Sequence, residues 1–137
     1  MKLGLEEIML MNALEKISGV GARDCIVDGS TVSFLVWGKD VGRAIGKGAQ
    51  NVKRLSERLG KKIEIVEYSK SPERFFKKAL APMAVEGVES RKGESGKAVS
   101  VRISSESRRT LMESKKKVAR VKEIAKRNYG FEEVRIR

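Results

Sequence analysis

A chain of 137 residues with 30 Lys or Arg, 18 Asp or Glu and no His carries a formal charge of +12; that balance points to a polyanionic partner, nucleic acid rather than membrane, because no long apolar amphipathic helix appears. The lack of His and the single Cys, Cys25, exclude imidazole or thiolate metal sites, Ser-His or Cys-His catalysis and an intramolecular disulfide. With no signal-peptide h-region and no 18-residue apolar span, a soluble cytoplasmic protein without membrane contact is expected.

In chain order, Leu5, Ile8, Met9, Ala13 and Ile17 share one helical face, and Ser18-Gly19 supplies the stop, with glycine at the C′ position. Arg23 to Val27 and Thr31 to Trp37 read as a hairpin whose Asp28-Gly29 suits a type I′ turn, with Cys25 a buried thiol in the first strand. Asp40 is placed to cap a short helix carrying Val41, Ala44 and Ile45, which halts at Gly46-Lys47-Gly48. Val52, Leu55 and Leu59 restart a helical stripe that ends at Gly60, and Lys62 to Glu67 alternates through Ile63 and Ile65 as a half-buried strand. Residues 1–69 thus read α-β-β-α-α-β.

Ser71-Pro72 opens a second unit, with Ser as N-cap and Pro at the first helical position, and Phe75, Phe76, Ala79 and Leu80 form the apolar side of the helix as far as Pro82. Ala84 to Ser90 and Lys97 to Ile103 are strands around Gly93-Glu94-Ser95-Gly96. Ser104 or Ser105 is expected to cap a helix through Met112; a lysine run follows, then a helix marked by Val118, Val121, Ile124, Ala125 and Tyr129, and the strand Phe131 to Ile136. Residues 70–137 repeat the order of residues 1–69, an internal duplication. The short linker has no Gly/Ser tract, which predicts two modules held rigidly. Charge is unequal: residues 1–69 hold 11 basic against 9 acidic side chains, residues 70–137 hold 19 against 9.

A turn of small residues between two helices lets backbone N–H groups approach a ligand, and the second helix turns its positive dipole end to an anion. The segment Ala44-Ile45-Gly46-Lys47-Gly48-Ala49-Gln50-Asn51-Val52 has that form, with Arg43, Lys53 and Arg54 close by. It is not a P-loop: the glycine spacing is one residue short, and the lysine is not followed by Ser or Thr. Glycines between helices are by themselves only a turn. Together with the surrounding cations, the αββααβ order resembles the KH module, whose loop between the two central helices clamps the backbone of single-stranded RNA, and a phosphate seat is expected here.

At Val41-Gly42-Arg43-Ala44-Ile45-Gly46-Lys47-Gly48-Ala49-Gln50-Asn51-Val52-Lys53-Arg54-Leu55 the sequence resembles the type II KH signature of the NusA transcription factors, in particular the short archaeal form with little beyond two KH domains. The resemblance covers essentially the whole chain. It implies an α+β fold of two tandem type II KH domains, 1–69 and 70–137, each a three-stranded sheet with helices packed on one face. It further implies that the protein binds nascent single-stranded RNA as a monomer, without cofactor or catalysis, to influence elongation, termination or antitermination, with RNA polymerase as a further partner. The expected RNA-binding residues are Arg43, Ile45, Gly46, Lys47, Gly48, Ala49, Gln50, Asn51, Lys53 and Arg54. A different class, a KH protein docked on ribosomal RNA or in ribonucleoprotein assembly, fits the same residues.

The family loop is Gly-x-x-Gly, and here Gly46 and Ala49 stand at its ends. A positive φ at Ala49 would cost roughly 1 kcal/mol or more, whereas at a helix N-terminus Ala is acceptable, and the clamp is expected to survive. In the second module, Lys115, Lys116 and Lys117 occupy the loop position; with Arg120 as a fourth cation they fit either secondary RNA contacts that attract phosphate by charge alone or a solvated basic face. Asp24, Asp28 and Asp40 fit turn and cap roles rather than a metal-dependent nuclease. Phe34, Trp37, Phe75 and Phe76 fit core roles rather than base-stacking platforms.

Overall fold

The computed structural model describes residues 3–137. Its elements run α1 (Leu5–Ser18), β1 (Asp24–Asp28), β2 (Thr31–Trp37), α2 (Val41–Ile45), α3 (Gln50–Leu59) and β3 (Lys62–Tyr68), then α4 (Pro72–Ala79), β4 (Val85–Gly93), β5 (Gly96–Ile103), α5 (Arg108–Glu113), α6 (Lys115–Tyr129) and β6 (Phe131–Ile136). The fold is mixed α/β, with the chain dividing between Ser69 and Lys70 into two compact units, each holding a three-stranded sheet.

In the first unit β1 pairs antiparallel with β2, from Asp24 opposite Leu35 to Asp28 opposite Thr31, and β2 pairs parallel with β3, from Thr31 opposite Lys62 to Trp37 opposite Tyr68. Parallel neighbours cannot be joined by a tight turn; they need a crossover of a dozen or more residues. Residues 38–61 make that crossover through α2 and α3, so the small-residue loop is carried between two fixed strand ends. The second unit repeats the pattern, β4 antiparallel to β5 and β5 parallel to β6, with α5 and α6 as its crossover.

Side chains alternate across β2, so Val32, Phe34 and Val36 all reach one face, where they are fully buried with Leu14 of α1, Ala44 of α2 and Leu55 of α3. In the second unit Val99, Val101 and Ile103 of β5 are buried, as are Val121, Ile124 and Ala125 of α6. Phe75 and Phe76 are wholly buried with ring centroids 5.2 Å apart, and Phe75 lies 5.1 Å from Tyr129. The core role expected of Phe34, Phe75 and Phe76 is what their burial gives. Trp37 is half-buried and packs edge-on against Tyr68 at 4.7 Å, with the Arg23 guanidinium 4.0 Å from the Tyr68 ring centre.

Several local features depart from expectation for identifiable reasons. Asp28 pairs with Thr31, leaving Gly29-Ser30 as the central turn residues; only Gly29 has positive φ (59°), the pattern of a type II′ rather than a type I′ turn. Asp40 makes no side-chain cap to α2, because its carboxylate is taken by Arg43 at 3.3 Å. The lysine run is not a connecting segment: Lys115–Lys117 form the first turn of α6, as suits a strong helix former. The α4 cap is as expected, with Ser71 Oγ accepting from the Arg74 amide at 3.3 Å.

Ser104 also fails to cap: its Oγ is buried and finds no hydrogen-bond partner among the described residues. A buried hydroxyl without a partner costs about 1–3 kcal/mol. Ser104→Ala should therefore raise the unfolding free energy by about 1 kcal/mol, read as a higher urea midpoint at unchanged slope.

Candidate nucleic-acid interface

The loop between α2 and α3 takes its shape from three positive-φ residues, Gly46, Gly48 and Ala49. Gly46 sits at φ 80°, ψ 165°, a region essentially closed to residues with a Cβ, and ends α2 with its amide on Gly42 O at 2.9 Å. Gly48 (φ 62°, ψ 25°) and Ala49 (φ 60°, ψ 25°) are both left-handed, and the Ala49 amide closes the turn on Gly46 O at 3.0 Å. The Gln50 amide bonds Lys47 O. The amides of Lys47 and Gly48 have no acceptor among the described residues, and both residues are exposed.

Ala49 is the one non-glycine residue with positive φ among the described residues. The departure from Gly-x-x-Gly thus falls where a glycine would relieve the backbone: the left-handed conformation costs an L-residue roughly 1–2 kcal/mol. Ala49→Gly should stabilise the protein by about 1 kcal/mol in thermal or urea unfolding while leaving RNA affinity within about twofold, since it adds no contact.

Cations surround the loop. Lys47, Lys53 and Arg54 are exposed, and none is joined to a carboxylate among the described residues. Gln50, Lys53 and Arg54 stand at i, i+3 and i+4 and so share one face of α3 beside the turn. Arg43, 63% exposed, is held by Asp40. Ile45, Gly46 and Ala49 are half-buried. The arrangement offers an accessible pair of amides, a helix N-terminus and three unpaired cations within one short stretch, which suits a phosphodiester backbone.

Asn51 is placed differently from its neighbour Gln50: its side chain is buried, and Nδ2 donates to Arg43 O at 2.9 Å, so it braces the loop from inside. Nothing in the residue pattern separated it from exposed Gln50; its distinguishing signal is that Gly46 must lack a Cβ to let it pass, which only the fold reveals.

In the second unit a single residue, Ser114 (φ −112°), joins α5 to α6, its amide on Leu111 O and its carbonyl accepting from Val118. This bend has no glycine and no left-handed residue. Lys115 and Lys116 are exposed, whereas Lys117 Nζ donates to Ala81 O at 2.8 Å and Arg120 is half-buried and already engaged within the protein. Of the four expected cations, two therefore face solvent unencumbered. Unanticipated is a shallow groove with an apolar floor including Leu111, Val118 and Ile136, rimmed by Lys115 and Lys122, beside which Met112 is 73% exposed. Among the described residues no group of three or more His, Cys, Asp or Glu could hold a metal ion, and no helix is long and apolar enough to cross a membrane.

Residues 10–128 match the family model described as a KH domain. Over 136 residues the chain is 35% identical to the probable transcription termination protein NusA of Methanococcus vannielii, covering 98% of this chain and 79% of the relative. It is 34% identical to the probable transcription termination protein NusA of Methanocaldococcus jannaschii, again over 136 residues, covering 98% and 74%. The crystal structure of APE1850 is similar throughout, with a TM-score of 0.85 at 35% identity, covering 98% of this chain and all of that one.

Proposed function

Since the chain belongs to the KH domain family and to the NusA type of transcription termination protein within it, we propose that it is an RNA-binding transcription factor that grips single-stranded nascent RNA to influence elongation or termination. The observation that carries the reading is the exposed α2–α3 loop, with the Lys47 and Gly48 amides unengaged and Lys47, Lys53 and Arg54 around it. Two amides and a helix N-terminus fix one stretch of sugar-phosphate backbone, and flexible cations follow the neighbouring phosphates.

Each unit is read as one type II KH module, 1–69 and 70–137, because each combines the αββααβ order with an antiparallel pair followed by a parallel one. The first module supplies the clamp. The second, lacking the loop, contributes long-range attraction and an apolar groove rimmed by Lys115 and Lys122 on which an unstacked base can rest. RNA polymerase is the second partner in this reading, met where the transcript emerges.

The test is competition of unlabelled RNAs against a fluorescein-labelled single-stranded RNA of mixed sequence, followed by anisotropy. The single strand should compete at least tenfold better than a duplex of the same sequence; equal competition would remove the clamp from the account.

A further inference from the structure

Helix α2 has only five residues, so most of its carbonyls lack an intrahelical partner. Two are met from beyond its end: Gly42 O by the Gly46 amide at 2.9 Å, and Arg43 O by the Asn51 side chain at 2.9 Å. The second bond spans the loop, tying the first turn of α3 back to the body of α2. Asn51 is 8% exposed, with its Nδ2 committed to this bond.

Gly46 lies where the Asn51 side chain crosses. A Cβ at Gly46 would stand 2.9 Å from both Cγ and Nδ2 of Asn51 and 3.1 Å from its backbone nitrogen. Gly48, by contrast, has open space where a Cβ would go. The demand for glycine at position 46 is therefore set by the brace beneath it as well as by its φ and ψ, and does not depend on the approach of a ligand. Left-handed Ala49 makes the same point, because a strained residue persists only where its surroundings over-determine it.

We infer that Asn51 is the positioning residue of the RNA seat: it holds the α2–α3 loop in its binding conformation before RNA arrives and thereby makes Gly46 obligatory. This rests on the reading of the loop as a phosphate clamp. A seat ordered in advance spares the ligand the cost of ordering it, and loss of the brace lowers affinity by the fraction of molecules whose loop leaves that conformation.

The experiment uses the full chain with Asn51→Ala and Asn51→Ser, neither of which reaches Arg43 O, and a fluorescein-labelled single-stranded RNA of mixed sequence. Each variant should bind about tenfold more weakly, the scale of one buried hydrogen bond, with the log–log salt slope of the parent because no phosphate contact is removed. Hydrogen exchange at the Gly46 and Ala49 amides should quicken in the free protein, while amides of β2 keep their protection. Gly46→Ala should cost less affinity in the Asn51→Ala background than in the parent, since two of its three close contacts are gone.

Unchanged exchange at Gly46 and Ala49, or strictly additive losses in the double variant, would overturn the inference. If one Asn51 variant fails to fold, the other is read by the same criteria. If the parent itself does not bind single-stranded RNA, the clamp reading fails separately, and the exchange measurement still decides whether Asn51 braces the loop.

Discussion

Gly46→Ala is expected to weaken single-stranded RNA binding by roughly 30- to 150-fold and to be the most damaging single change in the loop. The backbone at Gly46 (φ 80°, ψ 165°) costs any other residue about 1–3 kcal/mol, and the added methyl also meets Asn51 at 2.9 Å. The loop can escape only by adopting another conformation, so the strain is read as a reduced binding-competent fraction; about 2–3 kcal/mol converts to the stated range. Gly29→Ala is the control. Gly29 has φ 59° and open space in the β1–β2 turn, so the substitution should cost about 1 kcal/mol of stability and leave RNA affinity unchanged. Anisotropy titration with urea unfolding of both variants separates the two effects. Equal affinity in Gly46→Ala and the parent would show that the RNA does not use the α2–α3 loop.

What the residues alone disclosed, and what they did not, follows the range of the forces involved. Elements set by local chemistry were legible: Gly19 at φ 74° ends α1, Ser71-Pro72 opens α4 with a cap bond, and Ile63 is buried in β3, although Val66 and Tyr68 on the opposite face are buried too, so the strand is not half-buried. Each needs only neighbours within a turn. Features that depend on a choice between competing partners were not. Asp40 was free to cap α2 or pair with Arg43, and spacing does not say which is nearer in space. Ser104 looked like a cap, yet the backbone brings its amide to Ala84 O and leaves its hydroxyl buried. The turn type at Gly29-Ser30 depended on register, which the β1–β2 pairing fixes.

The candidate site divides in the same way. Its location followed from glycines between helical stripes, and its cations from composition. The inside of the loop did not, because Asn51 and Gln50 are alike in chemistry and differ only in which side of α3 the core claims. The second unit shows the converse error. A lysine run aligned with a loop was read as a loop, whereas lysine sustains a helix well enough for α6 to begin at Lys115, directly after the single linking residue Ser114. One consequence is that Lys117 lies on the helix where its amine reaches Ala81 O and serves the fold.

That division of roles sets the second large effect, the response to salt. A KH clamp engages the backbone of about four nucleotides, and Lys115 and Lys116 add two cations that are exposed and joined to no carboxylate among the described residues. About six neutralised phosphates on a single strand give a slope of about −4 in log affinity against log salt, so raising monovalent salt from about 50 to 200 mM should weaken binding by roughly 300-fold. The double variant Lys115→Glu, Lys116→Glu should reduce the slope to about −3 or shallower while retaining preference for single-stranded over duplex RNA, because the clamp is untouched. Lys117→Ala should instead lower stability through the lost bond to Ala81 O and leave the slope as it was. Gly46→Ala changes affinity by altering the loop's conformation rather than the number of cations, and so should shift the salt plot downward without tilting it. Parallel displacement by Gly46 and tilting by Lys115 and Lys116 would assign recognition of the strand to the first unit and electrostatic capture to the second; an unchanged slope in the double variant would remove Lys115 and Lys116 from RNA contact.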